Sequence, residues 1–276
     1  MPYMGFHRIS WRRVVGTGSA DPALHRSLDP EEVFQRGLEG EAELVWSPPV
    51  VILNFKTYRE ATGIGAERLA YVAETVSREL GVNVAVAVQS TDVYRISSRY
   101  EVIVLAQHVD HHREGSWTGH VTALALREAG AAGSLVNHSE RRLGISEIAG
   151  AVEALREQGL VSVVCADTPS VAKAVAALGP DYVAIEPPEL IGTGISVSKA
   201  KPEVVTESIS TIRSLGLEVP VICGAGISSP EDVARAIELG TVGVLISSAF
   251  VKAKDPQSFL TSVCEAALNS FGRRRS

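Results

Sequence analysis

Eight short runs of apolar and β-branched residues recur after residue 49, and they constrain the fold more than any other feature of the chain. The runs cover residues 50–54, 83–88, 102–106, 133–137, 162–165, 182–186, 220–224 and 242–246. Their hydrophobicity is continuous and does not alternate with polar residues, as expected of parallel strands that are buried on both faces. The sequence therefore predicts a parallel sheet with both faces covered.

Amphipathic stretches with helix-end signals lie between these runs. We predict helices over residues 66–80, 145–158, 168–178, 202–215, 230–239 and 256–271. Ser229 and Asp255 precede first-turn prolines, where helix-capping residues belong. Eight strands joined by such crossovers close most simply into a (β/α)8 TIM barrel, a single-domain α/β fold. A doubly wound open sheet is the alternative.

Residues 1–49 differ in composition from the rest of the chain and are predicted to be an N-terminal extension, mostly irregular. They contain clusters of glycine, proline and charged residues but no sustained strand pattern. Asp29 and Glu32 have the spacing of a capping pair, which favours at most one short helix through Phe34. The barrel domain is predicted at residues 50–276, and we expect residues 1–44 to be dispensable for its fold and activity.

Charge and cysteine content narrow the classes of function. The formal net charge of −6 argues against nucleic acid as the main partner, so a local positive cluster must hold any anionic ligand. The three cysteines include no CxxC pair, which indicates reduced thiols and a cytoplasmic protein more than a disulfide framework or a zinc site. No apolar run approaches the length of a membrane span, so we expect no membrane partner.

Polar residues with catalytic potential stand at the ends of three predicted strands. The carboxyl ends of all strands in a (β/α)8 barrel meet at one mouth. Lys56 follows the first strand, His138 follows the fourth and Glu186 ends the sixth. A carboxylate can remove a proton from carbon beside a carbonyl, while imidazole and ammonium groups stabilise the resulting oxyanion. These three residues are therefore predicted to be catalytic, and this chemistry requires neither a metal nor a cofactor.

Loops rich in glycine and serine indicate what the mouth binds. The segments are Gly192-Thr193-Gly194, Gly224-Ala225-Gly226 and Ser247-Ser248. Backbone amides in such loops hold phosphate, and the loops after strands 7 and 8 do so recurrently in barrels. We therefore expect a small phosphorylated substrate. A separate cluster of His108, Asp110, His111 and His112 is interpreted as a polar loop and not as a metal site.

The same segments resemble those of a known family. NFK at 54–56, NHSERR at 137–142, IEPPELIGTG at 185–194 and CGAGI at 223–227 are similar to the signatures of triosephosphate isomerases of the compact, archaeal type. The resemblance covers about residues 50–271. It implies interconversion of dihydroxyacetone phosphate and D-glyceraldehyde 3-phosphate in glycolysis and gluconeogenesis, without a cofactor. Another phosphate-binding barrel enzyme or a non-catalytic phosphate-binding barrel is the alternative.

The resemblance also implies individual roles. Glu186 would be the base, His138 the neutral electrophile and Lys56 the cation that stabilises the enediolate. The substrate would be bound by Asn54, Lys56, Ile191, Gly226, Ser247 and Ser248, with residues 187–194 as a lid.

Further expectations concern the surroundings of the site and the assembly. Glu140 and Arg141 would support the rim, and the loop with Thr118 would insert into a neighbouring subunit of a homo-oligomer, with a tetramer favoured. Ser247-Ser248-Ala249 stands where compact relatives usually have Ala-Ser-Gly. If position 249 required a positive φ, alanine there would cost about 1 kcal/mol.

Overall fold

The eight predicted strands form a closed parallel barrel in the computed structural model, which describes residues 46–187 and 197–275. Each strand pairs with the next along the chain, and the eighth pairs with the first in a register that places Val50 opposite Gly243. The predicted (β/α)8 fold is confirmed, and the open-sheet alternative is wrong. The strands are β1 Val50–Asn54, β2 Asn83–Val88, β3 Ile103–Ala106, β4 Gly133–Val136, β5 Val161–Ala166, β6 Tyr182–Ile185, β7 Val221–Cys223 and β8 Gly243–Ile246.

The helices lie around this barrel, and all six predicted helices are present. The described residues add two helices at Ser90–Ser97 and Ala123–Glu128 and two of four residues each at Val197–Ala200 and Ser248–Val251. The Ser229 hydroxyl accepts a hydrogen bond from the Asp232 N–H at 3.3 Å, and the Asp255 carboxylate accepts one from the Ser258 N–H at 3.0 Å, so both predicted caps are confirmed. The helices are α1 Ile64–Leu80, α2 Ser90–Ser97, α3 Ala123–Glu128, α4 Ile145–Glu157, α5 Pro169–Ala176, α6 Val197–Ala200, α7 Pro202–Arg213, α8 Pro230–Glu238, α9 Ser248–Val251 and α10 Pro256–Arg275.

Alternate residues of each strand face two separate apolar compartments. In β1, Val50 and Ile52 point into the barrel interior, whereas Val51 and Leu53 pack against the surrounding helices. Because a strand places successive side chains on opposite faces, both sets of positions must be apolar. This arrangement explains why the runs in the sequence are continuously hydrophobic.

An aromatic pair closes the end of the barrel opposite the mouth. The rings of Trp46 and Tyr182 are stacked with centroids 5.5 Å apart, and the Trp46 N–H donates to the Tyr182 hydroxyl at 3.1 Å. Tyr182 is fully buried at the start of β6, and this burial raises the pKa of its hydroxyl to about 12. The pair thus forms a floor beneath the interior side chains.

Two predicted features lie outside the described residues. They are the bulk of the N-terminal extension, residues 1–45, and the predicted lid beyond Pro187, including Ile191. Both stay predictions. None of the helices in the described ranges is long and apolar enough to span a membrane.

Candidate active site

The carboxyl ends of β1, β4 and β6 bring Lys56, His138 and Glu186 to one cavity of about 430 Å³. One wall of the cavity comes from the segments that follow β7 and β8. It includes Gly224, Gly226, Ile227, Ser228, Ser247, Ser248 and Ala249. The predicted catalytic residues and three of the predicted phosphate-binding residues therefore line the same space.

Glu186 places a carboxylate at the inner end of this cavity, where it is only 1% exposed. Its backbone N–H donates to the Ala166 carbonyl at 2.7 Å, which continues the pairing of β5 with β6. Its Oε1 lies 3.4 Å from His138 Nε2, whereas its Oε2 is buried without a hydrogen-bond partner in the described structure. A buried carboxylate oxygen without a partner is costly to maintain. This oxygen is therefore available to accept a proton from a bound molecule.

Gly224 and Cys165 enclose the Glu186 side chain. A Cβ atom on Gly224 would stand 2.6 Å from Glu186 Cγ and 3.1 Å from Oε1, so only glycine leaves room for the carboxylate as placed. Burial, together with the charge of Glu186 and a hydrogen bond to its carboxylate, raises the pKa of the Cys165 thiol well above its usual value. From the sequence, Gly224 is predicted only as part of a phosphate-binding loop, and Cys165 has no predicted role. Both residues contact Glu186 from neighbouring strands, so no short motif in the sequence predicts either contact.

The hydrogen bond at Nδ1 fixes the tautomer of His138. The backbone N–H of Glu140 donates to Nδ1 at 3.2 Å. Because a backbone N–H can only donate, Nδ1 must be unprotonated, and the neutral ring carries its proton on Nε2. Nε2 is the atom that faces Glu186. His138 is thus set up as a neutral hydrogen-bond donor, the state that the family resemblance implied for it.

Asn54 supplies a second donor beside His138. The Lys56 backbone N–H donates to Asn54 Oδ1 at 3.0 Å, which orients the amide so that Nδ2 faces His138 Nε2 at 3.4 Å. Both of these nitrogens are then donors, so they do not bond to each other. Together they can bind a single acceptor oxygen on a ligand.

Lys56 is held in an uncommon backbone conformation with a φ of +48°. The Gln107 side-chain amide donates to the Lys56 carbonyl at 2.9 Å and to the Ala87 carbonyl at 3.0 Å, which braces this turn. The Lys56 ammonium forms an ion pair with Glu140 at 2.8 Å. A left-handed non-glycine residue costs about 1–2 kcal/mol, and such strain is typical of positions that aim a functional side chain.

Asn137 is the second described non-glycine residue with a positive φ, at +59°, and it precedes His138. Its side chain donates to the Cys165 carbonyl at 2.9 Å and accepts from the Leu143 N–H at 2.9 Å. Arg142 donates to the Asn137 carbonyl at 3.1 Å and binds Asp167 at 3.1 Å. This network fixes the segment that carries His138.

The backbone after β8 does not have the positive φ at position 249 that was considered from the sequence. Ala249 lies within α9 and is not among the positive-φ residues, so the cost considered for alanine at this position does not arise. The Ser247 Oγ is buried without a hydrogen-bond partner among the described residues. Gly226 adopts a φ of +69°, which suits glycine. The wall is therefore built without backbone strain at Ala249.

The cluster around His108 forms a structural loop beside the site. His108 Nε2 lies 3.0 Å from Asp110 Oδ1, and Asp110 Oδ2 accepts from the Val121 N–H at 2.7 Å. Burial is the main cause that lowers the pKa of His108. Within residues 46–187 and 197–275, no group of three potential metal ligands occurs. Arg141 lies on this side of the rim, 3.9 Å from Asp110, whereas Glu140 contacts Lys56.

Comparison with known proteins agrees with this geometry. A family model described as triosephosphate isomerase matches residues 49–267. Triosephosphate isomerases from Methanosarcina mazei and Methanosarcina barkeri are each 50% identical to this chain over 212 residues, which cover 77% of this chain and 96% of each relative. That of Methanothermus fervidus is 49% identical with the same coverage. The solved triosephosphate isomerase of Bartonella henselae superposes with a TM-score of 0.62 at 20% identity, over 80% of this chain and 98% of that chain.

Proposed function

The chain belongs to the triosephosphate isomerase family and is an isomerase of triose phosphates, and we propose that Glu186, His138 and Lys56 carry out its reaction. That reaction interconverts dihydroxyacetone phosphate and D-glyceraldehyde 3-phosphate. One observation carries this assignment of roles. The same cavity holds Glu186, whose Oε2 is buried without a hydrogen-bond partner, and a neutral His138 that can donate from Nε2. No observation on the described residues favours another barrel enzyme or a non-catalytic barrel.

The proposed mechanism begins with proton removal by Glu186. Its carboxylate takes a proton from the carbon beside the substrate carbonyl, and the electron pair moves onto the carbonyl oxygen. His138 Nε2 and Asn54 Nδ2 donate hydrogen bonds to that oxygen, and the Lys56 ammonium offsets its negative charge. Glu186 then returns the proton to the neighbouring carbon, while a proton moves between the two oxygens beside His138. No atom is gained or lost overall.

The wall after β7 and β8 is proposed to bind the phosphate group. Gly226, Ser247 and Ser248 line the same cavity as Glu186, and the buried Ser247 hydroxyl has no hydrogen-bond partner among the described residues. We assign phosphate binding to this hydroxyl and to the backbone amides of the three residues. An anion would satisfy that hydroxyl, which is otherwise buried at a cost. We also propose that Ile191 binds the substrate and that residues 187–194 form a lid over it.

A coupled assay tests the function directly. The purified protein is expected to convert D-glyceraldehyde 3-phosphate to dihydroxyacetone phosphate without added metal or nucleotide. A chelator should leave the rate unchanged, because the proposed proton transfers use only side chains and backbone amides. Heat-denatured protein is the control. Absence of turnover, or complete inhibition by the chelator, would contradict the proposal.

A homotetramer in the cytoplasm is also proposed. Large apolar side chains are exposed on the described surface, including Ile145 at the start of α4 at 57% and Trp117 in the loop with Thr118 at 47%. Burying these side chains between subunits would remove their apolar surface from water. The three cysteines are free and buried, as is common in a reducing compartment.

Light scattering at micromolar concentration is expected to give a mass near four times the 29.3 kDa of the chain. The reason is that association would remove the exposed apolar side chains from water. A measurement at several concentrations separates a stable assembly from weak association. A mass of one chain throughout this range would show that the proposed tetramer does not form.

A further inference from the structure

We propose that Lys252 is a second binding residue for the substrate phosphate and acts on affinity, not on proton transfer; this inference rests on the proposed function. Lys252 directly follows α9 and lines the same cavity as Glu186. Its backbone N–H donates to the Ser248 carbonyl at 3.0 Å, so Lys252 lies one helical turn from the proposed phosphate wall. Neither the sequence motifs nor the roles assigned above include this residue.

The Lys252 ammonium has a defined position at the cavity mouth. Its Nζ lies 4.3 Å from the centroid of the Tyr58 ring, and Tyr58 also lines the cavity. Tyr58 is two residues beyond Lys56, so this contact joins the segments after the adjacent strands β8 and β1. A cation over an aromatic face is attracted to the ring but keeps its N–H groups available for an anion. The contact therefore holds the charge in place before substrate binds.

The balance of charge in the cavity distinguishes Lys252 from an ordinary surface lysine. The lining contains two lysines, Lys56 and Lys252, and one carboxylate, Glu186. Lys56 is already paired with Glu140 at 2.8 Å. Lys252 forms no ion pair with any carboxylate in the described parts of the chain, and its ammonium lies over the Tyr58 ring instead. A phosphate ester carries nearly two negative charges at neutral pH, and the whole chain carries −6, so an uncompensated cation at the mouth would attract this ligand to the cavity.

This placement predicts an effect on KM more than on kcat. The phosphate group does not change charge during the isomerisation, so a cation near it stabilises the bound substrate and the transition state equally. Such uniform binding lowers KM without raising kcat. The effect should also require the phosphate, because Lys252 is assigned no contact with the reacting carbons.

The test compares Lys252→Met with Lys254→Met. Lys254 is two residues further along, exposed, and not part of the cavity lining, so its replacement removes the same charge from the same region. For Lys252→Met we expect KM for D-glyceraldehyde 3-phosphate and the inhibition constant of inorganic phosphate to rise about 3- to 10-fold, while kcat changes less than twofold. For Lys254→Met both constants should stay within twofold of the wild type.

D-glyceraldehyde, which carries no phosphate, provides the second readout. Its kcat/KM should change less than twofold in Lys252→Met. An unchanged KM for the phosphorylated substrate, an equal rise in Lys254→Met, or an equal loss with D-glyceraldehyde would overturn the role of Lys252. These outcomes are distinct from failure of the proposed function, which would appear as no turnover by the wild-type protein.

Discussion

Replacing Glu186 with glutamine is expected to lower kcat by about 10²- to 10⁴-fold, the usual contribution of a positioned general base. Glutamine has nearly the same shape and fits beside Gly224, but its amide cannot accept the substrate proton. Binding should persist, because the phosphate wall after β7 and β8 is untouched. Steady-state kinetics in the coupled assay, with inorganic phosphate as a competitive inhibitor, measures both effects.

Glu79→Gln is the matched control for this substitution. Glu79 is exposed on α1, on the outside of the barrel, so the same chemical change there should leave kcat within twofold. A kcat for Glu186→Gln within tenfold of the wild type would show that another group removes the proton. Loss of inhibition by phosphate would instead indicate that the variant has lost its cavity.

Replacing Gly224 with alanine is expected to reduce kcat at least about 10²-fold, although the residue contributes no side chain to the chemistry. The added Cβ would meet Glu186 Cγ at 2.6 Å, which the packed interior can relieve only by moving the carboxylate. A displacement of about 1 Å at a catalytic group can cost two orders of magnitude in rate. Gly272→Ala in α10, where no atom lies within 4 Å of the new Cβ, is the control that should retain wild-type kcat.

A double variant shows whether Gly224 acts through Glu186. If the alanine works only by displacing the base, it should reduce kcat little further in a Glu186→Gln background. Fully additive losses would mean that Gly224 affects the rate by another route. Thermal unfolding of each variant separates loss of the base position from loss of the fold.

The strands could be predicted closely because each run is apolar at every position and is bounded by residues that break strands. Observed and predicted strand bounds differ by one residue at most, as for β3 and β5. For the short helices α2 and α3, which lie in two of the expected crossovers, no bounds are predicted from the sequence. Part of α2 depends on a contact distant in sequence, since the Gly63 N–H donates to Asp92 at 2.9 Å. Such short helices carry too little periodic signal to stand out.

The sequence predicts which residues form the site, but not the hydrogen bonds and packing contacts that orient them. The rule that strand ends meet at one mouth places Lys56, His138 and Glu186 together, and the structure agrees. The tautomer of His138 depends on a hydrogen bond from the backbone N–H of Glu140. Almost every residue type has such an N–H, so the sequence does not reveal this contact. The fit of Gly224 against the base likewise depends on the pairing of β6 with β7. These details follow from tertiary geometry and not from local pattern.

Strand β6 carries the aromatic floor at one end and the base at the other. Tyr182 opens the strand and Glu186 follows its last residue, so the two are about 13 Å apart along an extended backbone. The stacking of Trp46 on Tyr182 contributes to stability far from the reacting atoms. Substitutions near Trp46 and Tyr182 can therefore raise the stability of the barrel without disturbing the active site at the other end. Adaptation of this enzyme to heat and adaptation of its catalysis need not compete for the same positions.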